Sequence, residues 1–367
     1  MALKPITVAS VRGAGELFTV EQATIDQPGA GEVLVRIVGV GVCHTDLLVR
    51  DQRAPFPLPA VLGHEGAGVI EAVGEGVTDL VIGMPVVLTF DSCGTCRSCR
   101  RDRPAYCQEF YVRNFSGQGE GGLIRDHTGG TLHRHFFGQS SFASHALVAQ
   151  RSVVPIAADV PLEIMGPLGC GVQTGAGAVL EALRIEAGSS IAIFGAGSVG
   201  LSALLAARVS DCATIIVVDR SIERLALAGS LGATHMLNAD EGEVVERIGA
   251  ITSGGVDYSL ECTGVPAVLR QAVDALAVPG VCGVVGVAPY GSEVSLDITG
   301  LVAGRTVRGI VEGDSDPRRF IPRLIDLWRA GQFPFDRLIA SYPLSAINEA
   351  VEAVQSGGVL KAVLRPA

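Results

Sequence analysis

Four cysteines stand close enough along the chain to act on one ion. Cys93, Cys96, Cys99 and Cys107 follow the pattern C-x2-C-x2-C-x7-C, and four thiolates in so short a span can surround a tetrahedral Zn2+ without help from the rest of the protein. An iron–sulfur cluster is the chemical rival, but the spacing lacks the ferredoxin pattern and the flanks carry Arg97, Arg100, Arg101 and Arg103. A closed four-sulfur shell leaves no position for a substrate, so the lobe at 93–107 is expected to be structural. A second group, the run GHEGAG, sets His64 beside Glu65 among glycines. Alone it reads equally well as an exposed turn.

A third stretch could bind a dinucleotide. Gly195, Gly197 and Gly200 form a GxGxxG that closes the apolar run SSIAIF and opens the helical run SVGLSALLAARVS. Glycine there permits a tight turn, the approach of a pyrophosphate and close packing of helix on strand, while the helix N-terminus favours the phosphate charge. Asp219 ends the next strand, TIIVVD, where a carboxylate takes the ribose hydroxyls. Its charge favours NAD over NADP, and Arg220 directly after it weakens that preference.

These residues need two kinds of scaffold. The first third of the chain, with EVLVRIVGVGV and AGVIEAVGEGV, reads as short strands joined by tight turns, an all-β or barrel-like module. Residues 107–140, including NFSGQGEGGLIRDHTGG, show weak periodicity and are expected to be a surface excursion. From about residue 172, apolar runs alternate with helical stretches, the pattern of a parallel sheet covered on both faces. The last helices and a final strand, VLKAVL, could return to the first module.

Composition narrows the function. A chain of 367 residues with 48% hydrophobic residues can build two ordinary domains. Its formal charge of -10, with the signs interspersed, argues against nucleic acid and anionic membrane as partners. The start, MALKPITVASVRGAGE, lacks the apolar core of a signal peptide, and a cytoplasmic protein is expected, its nine cysteines being thiols, ligands or core residues.

With GVCHTD at Cys43, GHE at His64, the four-cysteine lobe, LGCGVQTG at Cys170, and GAGSVG with Asp219 behind it, the chain resembles the zinc-dependent medium-chain alcohol dehydrogenases along nearly all its length. The resemblance implies an α/β two-domain fold: a GroES-like β-rich catalytic domain over 1–171, a Rossmann doubly wound NAD-binding domain over 172–311, and a segment 312–367 that returns to the catalytic domain. It also implies two Zn2+ per subunit. Cys43, His64 and Cys170 match the ligands of a catalytic zinc with an open fourth position, Glu65 a carboxylate beneath it, and Asp46 the partner that orients the histidine. Thr45 matches the hydroxyl that accepts the alcohol proton. The relay histidine of the family is here Leu48, which leaves His44, also matched to the pyrophosphate, as the nearest titratable group. Further matches are Thr174 near the nicotinamide, Val199 behind its ring, Arg224 near the adenosine ribose, and Lys361 at the pyrophosphate. His127, His133, His135, His145 and His235 lack a partner pattern.

NFSGQGEGG, FFGQSSFASHALV and CHTDLLVRDQ look most like the aryl-alcohol branch, the benzyl alcohol dehydrogenases. That implies oxidation of primary aryl or allylic alcohols to aldehydes, and the reverse, by hydride transfer to NAD. Rival readings are a geraniol-type terpene-alcohol enzyme, the glutathione-dependent formaldehyde branch, and a zinc- and NAD-binding relative without catalysis. A homodimer or homotetramer is expected, paired through the cofactor-binding sheet, with the strand-like VSLDITG lying where such an edge would be.

Overall fold

The computed structural model describes residues 3–117 and 122–366. Two compact units are formed, one from residues 1–170, 316–323 and 336–367, the other from 171–315 and 324–335.

The first unit is built on two sheets. In the five-stranded sheet the order is Ala60–Val61, Lys4–Val11, Thr19–Ile25, Ile124–Asp126, Thr131–Leu132, with every neighbouring pair antiparallel. The larger sheet centres on Glu32–Gly41, which pairs antiparallel with Gly66–Val73, His145–Ala149 and Lys361–Arg365. Glu32–Gly41 is buried along nearly its whole length, which is why EVLVRIVGVG carries so few polar residues. Its glycines answer close approaches: a Cβ on Gly41 would lie 1.9 Å from an oxygen of Glu65. The strand thus ends against one of the residues that carry chemistry.

The second unit is a six-stranded parallel sheet ordered His235–Asn238, Thr214–Asp219, Ser190–Phe194, Val256–Glu261, Leu276–Val284, Arg305–Gly309. Numbered within the unit this is 3-2-1-4-5-6, whose reversal point beside the first strand is where doubly wound folds bind dinucleotides. Helix Ser198–Val209 follows the first strand and buries Gly200 through Ala207, a run of small and apolar residues suited to close packing.

Three expectations need correction. The passage 107–140 is not merely a surface excursion: it holds helix Phe110–Phe115 and buries Asn114, Ile124, Leu132, Phe136 and Gln139. Its weak periodicity reflects short elements packed through isolated side chains, and its residues 118–121 lie outside the described residues. VSLDITG is not an edge strand, because Asp297 accepts hydrogen bonds from Thr299 N and Gly300 N and so caps a helix, Ile298–Val302. The edge strand that follows it is Arg305–Gly309, the opposite edge being His235–Asn238. Finally, the segment 312–367 does not act as one piece, since 324–335, with Leu324, Ile325, Phe333 and Phe335 buried, groups with the second unit.

Candidate catalytic metal site and dinucleotide loop

Cys43 leaves the strand Glu32–Gly41 and caps helix His44–Arg50, where Asp46 Oδ2 accepts the Cys43 N–H at 2.8 Å. The other oxygen of this fully buried carboxylate accepts the Gly63 N–H at 3.1 Å and meets His64 Nδ1 at 2.9 Å. Such a contact holds a proton on Nδ1 and turns Nε2 toward the neighbouring thiols. His64 Nε2 is buried and has no hydrogen-bond partner. Gly63 reaches this turn at φ +89°, and a Cβ on it would strike Phe142 at 2.5 Å. The glycines around His64 are therefore required by crowding inside the protein rather than by exposure.

Cys170 follows the tight turn Gly166–Gly169, whose last carbonyl accepts from Thr89 Oγ1 at 2.9 Å. Sγ of Cys43 and Cys170, a ring nitrogen of His64 and an oxygen of Glu65 all lie within 4.8 Å of one another. The Cys43 thiol is drawn well below its ordinary value by its hydrogen bond with Cys170 and, against burial, by Lys361 and His64. Burial opposes the charged form of His64, but Asp46 and Cys43 outweigh it and push its value well up. Two sulfurs, one of them drawn toward the thiolate, and an orphaned imidazole nitrogen suit Zn2+, with the protein supplying three ligands and a fourth position left over.

Glu65 is fully buried, and burial raises its carboxyl against the pull of Lys361. Lys361 is itself 3% exposed; its ammonium donates to both Glu65 oxygens at 2.8 and 2.9 Å and to the Val42 carbonyl at 3.2 Å. Lys361, expected at the pyrophosphate, has its donors engaged with Glu65 and Val42 beside the cluster, as a buried ammonium needs a partner of opposite charge. Thr45 is half-buried with its hydroxyl 3.8 Å from Cys43 Sγ. His44 is exposed at the start of its helix, and Leu48 is half-buried. Of the remaining histidines, His145 bonds Glu71 at 3.0 Å and His135 is buried.

In the four-cysteine lobe the sulfurs also lie within 4.8 Å of one another, Cys93 and Cys99 at 3.9 Å. Zn–S bonds of about 2.3 Å in a tetrahedron place sulfurs about 3.8 Å apart. Backbone N–H groups of Cys96 and Thr95 point at Cys93 Sγ at 3.2 and 3.4 Å, and those of Cys93 and Glu109 at Cys107 Sγ at 3.2 and 3.4 Å. Against burial, the donors on Cys93 bring its thiol to about 6. None of the nine cysteines forms a disulfide.

The glycine loop of the second unit has the shape a dinucleotide needs. Gly195 turns at φ +101°, and a Cβ on Gly200 would lie 1.8 Å from the Gly195 carbonyl oxygen. Around Gly197 there is open space where a Cβ would stand, so the backbone is accessible there. Ser198 Oγ, at the start of the helix after this loop, and Arg224 Nε, on helix Ile222–Leu231 after Asp219, are buried without a hydrogen-bond partner. Asp219 accepts from Ala196 N at 2.6 Å and Ser221 N at 2.9 Å, which fixes its carboxylate behind the turn. Arg220 pairs with Asp240 at 2.8 Å. Thr174, on helix Gly171–Gly177, donates to Glu312 at 3.3 Å, and the carbonyl of Val199 would lie 2.0 Å from a Cβ on Gly175 of the same helix.

Sequence reasoning missed several neighbours of His64. Phe137 stacks on its ring at 4.5 Å and Phe136 meets it edge-on at 5.3 Å. Gln139 bonds its backbone. The adjacent phenylalanines were the available signal, hidden in a passage read as surface.

Comparison with known proteins gives the chain its relatives. Residues 29–158 match the alcohol dehydrogenase GroES-like domain and residues 198–328 the zinc-binding dehydrogenase family. A geraniol dehydrogenase of Castellaniella defragrans is 47% identical over 360 residues, 97% of this chain and 96% of that protein. Among solved structures, benzyl alcohol dehydrogenase of Acinetobacter calcoaceticus aligns at 47% identity and TM-score 0.95, covering 100% of both chains. An alcohol dehydrogenase zinc-binding domain protein of Burkholderia ambifaria aligns at 53% identity and TM-score 0.98 over 99% of each.

Proposed function

The chain belongs to the zinc-binding medium-chain alcohol dehydrogenase family, and from that premise we propose that it oxidises primary aryl or allylic alcohols, of the benzyl alcohol type, to aldehydes with NAD and catalyses the reverse. The observation that carries the reading is the orphaned His64 Nε2 facing the thiols of Cys43 and Cys170. A zinc ion held there would act as a Lewis acid and lower the pKa of an alcohol at the fourth position. The chain's own residues do the rest. Asp46 holds the proton on His64 Nδ1, Thr45 presents a hydroxyl beside Cys43 to take the alcohol proton, and Leu48 supplies no base beyond it, so the proton passes to water. Gly195, Gly197 and Gly200 would seat NAD, with Asp219 toward the adenosine ribose and Arg220 engaged by Asp240 rather than held for a 2′-phosphate.

An apolar substrate is supported by the phenylalanines packed around His64: Phe137 and Phe136, both buried, touch its ring, and Phe56, Phe110 and Phe115 contact them in turn. Apolar surroundings without a cationic group among these rings suit a benzyl or allylic group more than an anionic glutathione adduct. NADH formation with benzyl alcohol, geraniol, ethanol and S-hydroxymethylglutathione tests the reading. Highest kcat/KM for benzyl alcohol or geraniol is expected; preference for either of the others, or no turnover at all, sinks it. Asp219→Ala should weaken NAD by about tenfold, the worth of a charge-assisted hydrogen bond, and narrow the preference over NADP.

The assembly is at least a homodimer in this reading. Val287, Tyr290, Ile298 and Val302 are largely exposed along the stretch that leads to edge strand Arg305–Gly309, apolar side chains of the kind that subunits cover. Light scattering should give twice or four times the chain mass. Cysteines that form no disulfide suit a cytoplasmic enzyme; no helix among the described residues is long and apolar enough to cross a membrane.

A further inference from the structure

Beside the metal cluster the backbone adopts a run of left-handed conformations: φ is +76° at His135, +49° at Phe137, +69° at Gly138 and +53° at Ser140. Side-chain-bearing residues seldom adopt this region, and such strain persists where surrounding contacts over-determine it. Here the contacts converge on one residue. The turn lays Phe137 flat on the His64 ring, 24° from parallel, and sets Phe136 edge-on at 88°. It also drives Gln139 into the interior, where 1% of the residue remains exposed.

Every polar atom of that buried amide is used. Nε2 donates to the His64 carbonyl at 2.8 Å and, at longer range, to the Thr89 carbonyl at 3.4 Å. Oε1 accepts the Gly66 N–H at 3.0 Å and Ser141 Oγ at 2.9 Å. The His64 carbonyl and the Gly66 N–H belong to the peptide groups on either side of Glu65. A single side chain therefore clamps the backbone of His64–Gly66 from outside, while Asp46 fixes the His64 ring from the other end. Removing the amide would leave a buried carbonyl, a buried N–H and a buried hydroxyl short of partners.

We propose that Gln139 is a positioning residue for the metal site: by bracketing Glu65 it sets the direction of His64 Nε2 toward Cys43 and Cys170 and keeps Glu65 facing Lys361. The inference rests on reading Cys43, His64 and Cys170 as zinc ligands. Its test uses the zinc-loaded protein and two variants, Gln139→Met, which keeps the length of the side chain without its hydrogen bonds, and Ser141→Ala, which removes one donor to the amide. Zinc release to a chelator is followed ion by ion, and the visible spectrum is recorded after Co2+ exchange into the Cys43–His64–Cys170 site. Gln139→Met should lose that ion about ten- to a hundredfold faster, as removal of partners behind a ligand does. Its cobalt spectrum should shift, with the four-cysteine ion retained; Ser141→Ala should shift the spectrum less, in the same direction. Wild type with two ions and variants whose release rates and spectra do not move overturn the inference alone. The same holds if Gln139→Met loses both ions together through unfolding while Ser141→Ala leaves the spectrum untouched. Wild type that takes up no ion at Cys43, His64 and Cys170 overturns the zinc reading and the inference with it.

Discussion

The two clusters of side chains that could hold a metal ion are assembled in opposite ways. The four-cysteine lobe draws all its sulfurs from one short segment, and the N–H groups that point at them come from the same segment. The other cluster takes Cys43 from the end of a central strand, His64 from a glycine turn, and Cys170 from a turn far along the chain. Of its supports, Asp46 comes from the helix that Cys43 caps, and Gln139 and Lys361 from two further places. A contiguous loop can satisfy an ion by itself and closes around it; a group gathered from the whole unit keeps a position open and holds each ligand from behind. We read the first arrangement as one that serves stability and the second as one that serves reactivity.

That division can be broken most decisively at Cys170. Cys170→Ala should abolish turnover and remove one zinc per chain by elemental analysis, with circular dichroism and the lobe's zinc retained; one zinc in the active wild type would end the comparison. Cys99→Ala should do the converse. Three thiolates then face an incomplete shell, and because metal affinity is coupled to folding the melting temperature should fall, while the folded fraction keeps its activity per molecule. Asp46→Ala should leave all three ligands present but release the catalytic ion about 10- to 100-fold faster, measured by chelator competition, with no change at the lobe.

The smallest effect concerns the lobe alone. Burial raises both Cys93 and Cys99, but backbone donors from Thr95 and Cys96 overcome it at Cys93, leaving about 6 against about 12 at Cys99. A value below that of an ordinary thiol means the Cys93 thiolate contributes stability above the ordinary value and loses it as the pH falls through about 6. Iodoacetamide applied to zinc-stripped protein near neutral pH should label Cys93 ahead of Cys99 by mass spectrometry. Equal labelling would mean that the lobe does not hold its N–H groups on Cys93 without metal.

Legibility in the sequence follows the same division. The lobe and the GxGxxG turn could be read directly because their geometry is local: spacing fixes which atoms meet. His64, Cys43 and Cys170 required the order of motifs along the whole chain, since nothing near any one of them names the other two. Gln139 and Lys361 were not legible as supports. Their partners lie 75 and 296 residues away, and an amide or an ammonium on a strand or turn looks like surface until the fold buries it. VSLDITG misled for the opposite reason, a local alternation overruled by the capping of Asp297.

The link between Glu65 and Lys361 also sets an order of events during synthesis. Glu65 leaves the ribosome early, and the parallel-sheet unit is made before the strand Lys361–Arg365 arrives to pair with Glu32–Gly41 and deliver its ammonium. At about 5–20 residues per second, the nascent catalytic unit spends many seconds with a central strand lacking a neighbour and a glutamate lacking its counter-charge. The parallel-sheet unit, lying almost wholly within one stretch of chain, can mature first, so the reactive half of the protein is the last to close.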